Sequence, residues 1–430
     1  MNTPQVVAER PQPSRMYRWM VLIWVSLAMF GNYYFYDALS PLADVLQRDL
    51  HYSDQNIGLL NSFYSIAPIA TVLIGGVIID RIGAKRATLM FGLICFLGAI
   101  LTASSPNFLI MAAGRFIFGM GAESLIVSVT AALAKWFRGK ELSFAFGVNL
   151  MIARGGTWLA QNSPSWAPWA YSNWRTPWLI GVGFVSLCVI GPIMYWILES
   201  RAAKRYSLGN EGAADKLIPS DILRFGTSYW YLVLLCLVFY SAIFPFETFA
   251  VKYFIDAHGT SRQLGGFLIS VLTACTIFGT PLFGLVADRF GKRATFMVFG
   301  SLLLIPSFLL MAYTHVSLYI PMGLLGLAFA LVPAVIWPSV AYIVEERTIG
   351  TALGLMTMVQ NIGLSSVNWM LGRANDASHA SSANPSGYTL MLQILTGLGV
   401  AGLVFAFLLR HRETGPHGHG LETITAAGAK

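Results

Sequence analysis

Residues 76–86 read Gly76-Val-Ile-Ile-Asp80-Arg81-Ile-Gly83-Ala-Lys85-Arg86, and residues 284–293 read Gly284-Leu-Val-Ala-Asp288-Arg289-Phe-Gly291-Lys292-Arg293. Their aspartates lie 208 residues apart, so the pattern is an internal repeat. Each copy follows a long apolar run. It combines Gly, which permits a tight turn, with Asp, which can face a neighbouring helix N-terminus, and with Arg and Lys suited to an anionic lipid leaflet. A single copy is explained as a basic turn. Two copies at matching places describe a chain built from two halves, in which Asp80, Arg81, Asp288 and Arg289 are candidates to latch and release the halves.

The 430 residues are 56% hydrophobic and 11% charged, against roughly 25% charged in a soluble domain, so most of the chain must lie in lipid. Apolar runs of about 20 residues, enough to cross ~30 Å of hydrocarbon as helix, recur from Trp19–Pro41 to Tyr388–Arg410. They number twelve. The alternation of a transmembrane β-strand is absent, and lipid demands that every backbone amide be satisfied internally, so the expected class is an all-α membrane protein. Arg201 to Phe225 is the longest polar interior stretch. It divides the chain into a tail (1–18), a six-helix bundle (19–199), a linker (200–226), a second, pseudo-symmetric six-helix bundle (227–410) and a tail (411–430).

With the N-terminus inside, 21 of the 28 Lys and Arg residues fall in cytoplasmic segments, which places both termini in the cytoplasm. This bias accounts for the net charge of +8, and a nucleic-acid partner is not expected. Cys95, Cys188, Cys236 and Cys275 all lie in apolar runs and read as packing residues rather than a disulfide framework. Gly397-Leu-Gly399-Val-Ala-Gly402 fits a dinucleotide-binding pattern but sits inside the last span, where glycines serve close helix packing. No cofactor, metal site, catalytic constellation or obligate protein partner is expected. The chain has no Asn-X-Ser/Thr acceptor with X other than Pro, which favours a bacterial inner membrane.

Ionisable residues inside spans are expensive, and therefore informative. Glu123 falls near the middle of the fourth span and Arg154 near the middle of the fifth, at the same depth on consecutive helices. Arg115 precedes Glu123 by eight residues, about 12 Å along a helix, too far for direct pairing. Arg115 and Asp37 both lie in the outer thirds of their spans and are expected to pair with each other. Glu247 follows Phe244-Pro245-Phe246, where proline is expected to interrupt the seventh helix and open backbone groups to a cavity. Tyr33, Tyr36, Tyr64, Trp337, Gln360 and Asn361 lie at comparable depth. A central acid, a central base and an aromatic and amide surround suit a small zwitterion, although Glu123 and Arg154 could also form a structural ion pair.

One family combines these features. Gly114-Arg115-Phe-Ile-Phe-Gly119-Met-Gly121-Ala-Glu123-Ser124-Leu125, Lys135-Trp136-Phe137-Arg138-Gly139-Lys140-Glu141-Leu142 and Met151-Ile-Ala-Arg154-Gly155 resemble its fourth and fifth spans and the loop between them. With Phe30 to Asp37, Phe244-Pro245-Phe246, Trp337-Pro338-Ser339-Val340-Ala341 and Gln360-Asn361-Ile-Gly363-Leu364, the chain is similar to the lysosomal dipeptide carriers called major facilitator superfamily domain-containing protein one. The resemblance implies a major facilitator fold, transport of dipeptides by facilitated diffusion, and Glu123 and Arg154 facing the substrate. The chain departs from that family in residues 1–18, where no acidic dileucine signal occurs, so lysosomal sorting is not carried over. The amine and carboxylate of an extended dipeptide are roughly 6 to 7 Å apart. A charge-assisted hydrogen bond of ~2.8 Å at each end would set the acid and guanidinium about 12 Å apart. The alternative reading is a proton-coupled symporter of small organic anions such as sugar acids, in which Arg154 holds the carboxylate and Glu123 titrates.

Overall fold

The computed structural model describes residues 11–137, 141–207, 224–416 and 418–425, with side chains except at positions 70, 72, 73, 80 and 143. Much of the expected linker, the loop residues Arg138 and Lys140, and the side chain of Asp80 therefore lie outside the described residues. Twelve long helices carry the fold: α1 (Arg15–Asp37), α2 (Asp54–Ile82), α3 (Ala84–Ser104), α4 (Phe108–Phe137), α5 (Leu142–Gln161), α6 (Arg175–Arg205), α7 (Thr227–His258), α8 (Arg262–Phe290), α9 (Arg293–Tyr313), α10 (Tyr319–Ile343), α11 (Ile349–Ala377) and α12 (Tyr388–Glu413). α6 has a one-residue break at Ser186.

Local chemistry sets the helix ends. Ser53 and Ser261 cap α2 and α8, their hydroxyls accepting from the backbone N–H of Asn56 and Leu264. The two copies of the repeat end α2 and α8 in the same way. Gly83 (φ 81°) and Gly291 (φ 68°) take the positive φ that turns the chain at once into α3 and α9, which a residue with a Cβ adopts only under strain. The sequence did not disclose a short amphipathic helix, Ala43–Leu50, between α1 and α2. α1 stops at Asp37, and a 3-10 turn over Ser40–Leu42 takes up the rest of the run expected to reach Pro41. α7 continues through Pro245 without a break, contrary to the expected interruption.

Eight of the helices are long and apolar enough to be read as spans from hydropathy, among the described residues. Of the remaining four, α1, α5 and α11 fall short, whereas α2 carries the uncharged apolar run Ile66–Ile79. These three carry much of the polar lining of the central cavity, and along the seam between the halves α11 lies against α2 and α5 against α8.

Polar contacts tie the halves together on the face away from the chain termini, here called the distal face. Lys252 of α7, almost fully buried, places its ammonium 3.0 Å from Asp54 of α2 and 3.3 Å from Asp256 of its own helix, and donates to the Tyr388 hydroxyl at 2.6 Å. Asp376 of α11 accepts from the backbone N–H groups of Asp54 and Gln55 at 2.9 Å each, a carboxylate seated on the positive end of α2. Arg262 pairs with Asp44, the Asn61 amide donates to Thr248 at 2.8 Å, and Gln161 accepts from Thr273 at 2.7 Å. All the hydrogen bonds and ion pairs described between the halves belong to this distal set.

Candidate functional site

Just beneath the distal set lies a cavity of about 260 Å³. The order along each helix fixes that relation. On α2 the latch residues Asp54 to Ser62 come before the cavity residue Tyr64, on α11 the cavity residues Thr357 to Leu364 come before Ser365 and Asp376, and on α7 Tyr240 and Phe244 come before Thr248 and Lys252. The lining comprises Asn32, Tyr33, Tyr36 and Asp37 from α1, Tyr64 from α2, Glu123 and Ile126 from α4, and Arg154 from α5. The other half adds Tyr240 and Phe244 from α7, Trp337 from α10, and Thr357, Gln360, Asn361 and Leu364 from α11.

The charges of this lining come from the first half only; the second half supplies aromatic and amide groups. Glu123 accepts from the Tyr64 hydroxyl at 3.3 Å, and Tyr64 packs against Tyr36 with ring centroids 4.6 Å apart. The guanidinium of Arg154 lies 5.4 Å from the ring centre of Tyr33, 6.0 Å from Phe244 and 5.4 Å from Phe329. Ring faces attract a cation but leave its N–H donors unspent. Among the described residues no carboxylate comes within ion-pair distance of Arg154, so the structural Glu123–Arg154 salt bridge is not formed. On the opposite wall the Trp337 Nε1–H donates to the Tyr240 hydroxyl at 2.7 Å, and Tyr240 stacks on Phe244.

The expected Asp37–Arg115 pair is also not formed. Arg115 is completely buried and donates to the carbonyls of Phe35 (3.2 Å) and Tyr36 (3.4 Å) and to the Asn61 side chain. It thereby satisfies the last carbonyls of α1, whose helix ends there, and ties α1 to α2. Asp37 instead accepts from the Thr157 hydroxyl at 2.6 Å and faces the cavity. Glu247 does not line the cavity; it is buried, and its backbone carbonyl accepts from Ser40 at 2.5 Å across the seam. In the second repeat Asp288 pairs within its own half with Arg293 at 2.9 Å, while Arg81 and Arg289 are exposed.

Tyr33, Tyr36, Tyr64, Glu123, Arg154, Trp337, Gln360 and Asn361 are thus brought to one cavity. Asn32, Tyr240, Phe244 and Thr357 were missed. Their signal was helical spacing: Asn32 is four residues from Tyr36, Tyr240 four from Phe244, and Thr357, Gln360, Asn361 and Leu364 follow an i, i+3, i+4, i+7 face.

The Major Facilitator Superfamily description matches residues 25–367. The chain belongs to the major facilitator superfamily. Within it, the chain is 30% identical over 381 residues to the lysosomal dipeptide transporter MFSD1 of Homo sapiens, an alignment covering 85% of this chain and 82% of that one. It is 23% identical over 364 residues to a hexuronate transporter of Bacillus subtilis, covering 79% and 84%. A solved nucleoside transporter, NupG, shares the fold with a TM-score of 0.72 at 13% identity, covering 91% of this chain and 98% of that one. As a member of the major facilitator superfamily the chain is a multi-pass membrane transporter and not an enzyme. Its twelve helices form the two six-helix halves of that fold.

Proposed function

We propose that this transporter carries dipeptides, and at most tripeptides, by alternating access and without an obligatory coupled proton. In this reading Arg154 holds the peptide carboxylate and Glu123 the peptide amine, while Tyr33, Tyr36, Tyr64, Trp337, Gln360 and Asn361 surround the backbone and side chains. Asp37, at the distal edge of the cavity, and Arg115, above it, act in gating rather than in contact with the termini. Glu247 takes part through the seam. The observation that carries the reading is that an acid and a base face one small cavity without neutralising each other. Unpaired charges at membrane depth are costly, and a zwitterion offsets both. Alternation would swap the distal latch for contacts made by Asp80, Arg81, Asp288 and Arg289 on the terminal face. The positive-inside bias supports a bacterial inner membrane with cytoplasmic termini.

Counterflow of a labelled dipeptide in proteoliposomes tests the proposal, with and without a pH gradient. Uptake that survives collapse of the gradient supports uniport. Amidating the peptide C-terminus should abolish binding to the wild type and change little in Arg154→Ala; N-acetylation should behave the same way with Glu123→Gln. A ligand at 100 times its Kd stabilises its binder by about 2.7 kcal/mol, so a thermal melt reads these comparisons directly. The likeness to a hexuronate transporter keeps a second reading specific. If sugar acids protect against melting and both free and blocked dipeptides do not, Arg154 serves a lone carboxylate and Glu123 is the proton carrier.

A further inference from the structure

The end of a chain is poorly ordered unless something ties it down. Here the segment after α12 turns back along the terminal face and is held at four places. Glu413, the last residue of α12, has a fully buried side chain that accepts from the Ser228 hydroxyl (2.7 Å), the His419 backbone N–H (2.7 Å) and the His419 ring Nδ1 (2.9 Å). Leu421 is completely buried, and the carbonyls of Leu421 and Glu422 accept from the backbone N–H groups of Arg293 (2.9 Å) and Lys292 (3.1 Å). The Glu422 carboxylate accepts from the Thr295 N–H (2.7 Å) and the Thr295 hydroxyl (2.8 Å). Finally, Arg293 donates to the carbonyl of Ile424 at 2.6 Å.

These contacts converge on the second copy of the repeat. α9 begins without a side-chain cap from its own neighbouring residues, because Lys292 occupies the cap position. Glu422 supplies the missing acceptor from 127 residues away and brings a negative charge to the positive end of the helix. Arg293 is only 3% exposed, held between Ile424, Asp288 and the ring of Tyr342. A guanidinium and a helix N-terminus on the terminal face are the groups that could grip the other half when that face closes, and both are already occupied.

We propose that residues 414–416 and 418–425 form a regulatory strap. Docked, it binds the second repeat loop to its own half, withholds Arg293 and the start of α9 from the first half, and so favours the conformation latched on the distal face. Released, it frees the loop to close the terminal face. Strength of docking therefore sets the rate of exchange between states, without touching the cavity.

The test compares full-length protein with Glu422→Ala, Glu422→Gln and a chain ending at Thr414, in nanodiscs. Spin labels at Arg201→Cys and Glu346→Cys, exposed on the terminal face of the two halves, report the distance across that face and need no substrate. Loss of the capping carboxylate should enrich the population closed on the terminal face about fivefold, the factor expected for one helix cap. Truncation should do so at least as strongly, and a synthetic peptide of residues 414–430 should reverse it. The same distance distribution in Glu422→Ala and in the truncated chain overturns the strap. So does a rise in the terminal-closed population that the added peptide leaves unchanged. If the truncated chain fails to fold, the two Glu422 substitutions decide alone.

Discussion

Lys252→Met is the most direct test of how the distal face stays shut. The substitution keeps the length of the side chain and removes its charge, leaving Asp54 and Asp256 buried near each other with no cation between them. Removing one partner of a buried ion pair costs about 3–5 kcal/mol. Opening the face would carry Asp54 into water with α2, whereas Asp256 stays beside Tyr388, which donates to it at 2.6 Å. Most of the cost therefore falls on the latched state. At about 3 kcal/mol the balance shifts roughly 150-fold toward the distal-open conformation. Labels at His51→Cys and His379→Cys, exposed on opposite halves of that face, would measure it by electron resonance. The double variant Asp54→Asn/Lys252→Met removes the stranded charge together with its former partner and should restore most of the closed population. An unchanged distance distribution in Lys252→Met, or a double variant as open as the single, would refute this account of the latch.

Other outcomes follow from the cavity and the repeat. Arg154→Lys retains the charge but loses the two-pronged donor and the flat surface that rests against Tyr33 and Phe329, so dipeptide Kd should rise about tenfold or more by calorimetry. Arg115→Met strands the carbonyls of Phe35 and Tyr36 and should lower the melting temperature by an amount equivalent to about 3 kcal/mol, with or without substrate. Asp80→Asn and Asp288→Asn should slow counterflow while leaving dipeptide Kd within a few-fold. A loss of binding above about tenfold, 1.4 kcal/mol, would remove these loops from any purely gating role.

The spans were legible because lipid leaves the backbone so few choices; the partners of buried charges were not. Depth along a helix can be counted from the sequence, and it put Glu123 and Arg154 in one layer. Azimuth cannot be counted without knowing which neighbour each face meets. Asp37 and Arg115 share a depth, yet the early end of α1 turned its last carbonyls toward Arg115, and Thr157 reached Asp37 from α5. Lys252 and Asp54 sit near the ends of their helices, where nothing in the sequence marks them for burial. The distal closure buries both, and a closure is a property of one conformation rather than of the chain. The Glu422 cap lay still further from reach, since nothing local marks a carboxylate whose partner, Thr295, lies 127 residues earlier.

The three helices that are too polar to be read as spans bear on how this transporter is made. An apolar segment partitions into a bilayer by itself, but α1, α5 and α11 carry groups that hydrocarbon rejects until neighbouring helices cover them. Their insertion during synthesis depends on company. α1 emerges first and must wait for α4, α5 and α6, and the seam face of α5 is covered only when α8 arrives. A ribosome stalled after the first half would therefore hold a bundle with an uncovered polar flank, a ready client for membrane chaperones and quality-control proteases.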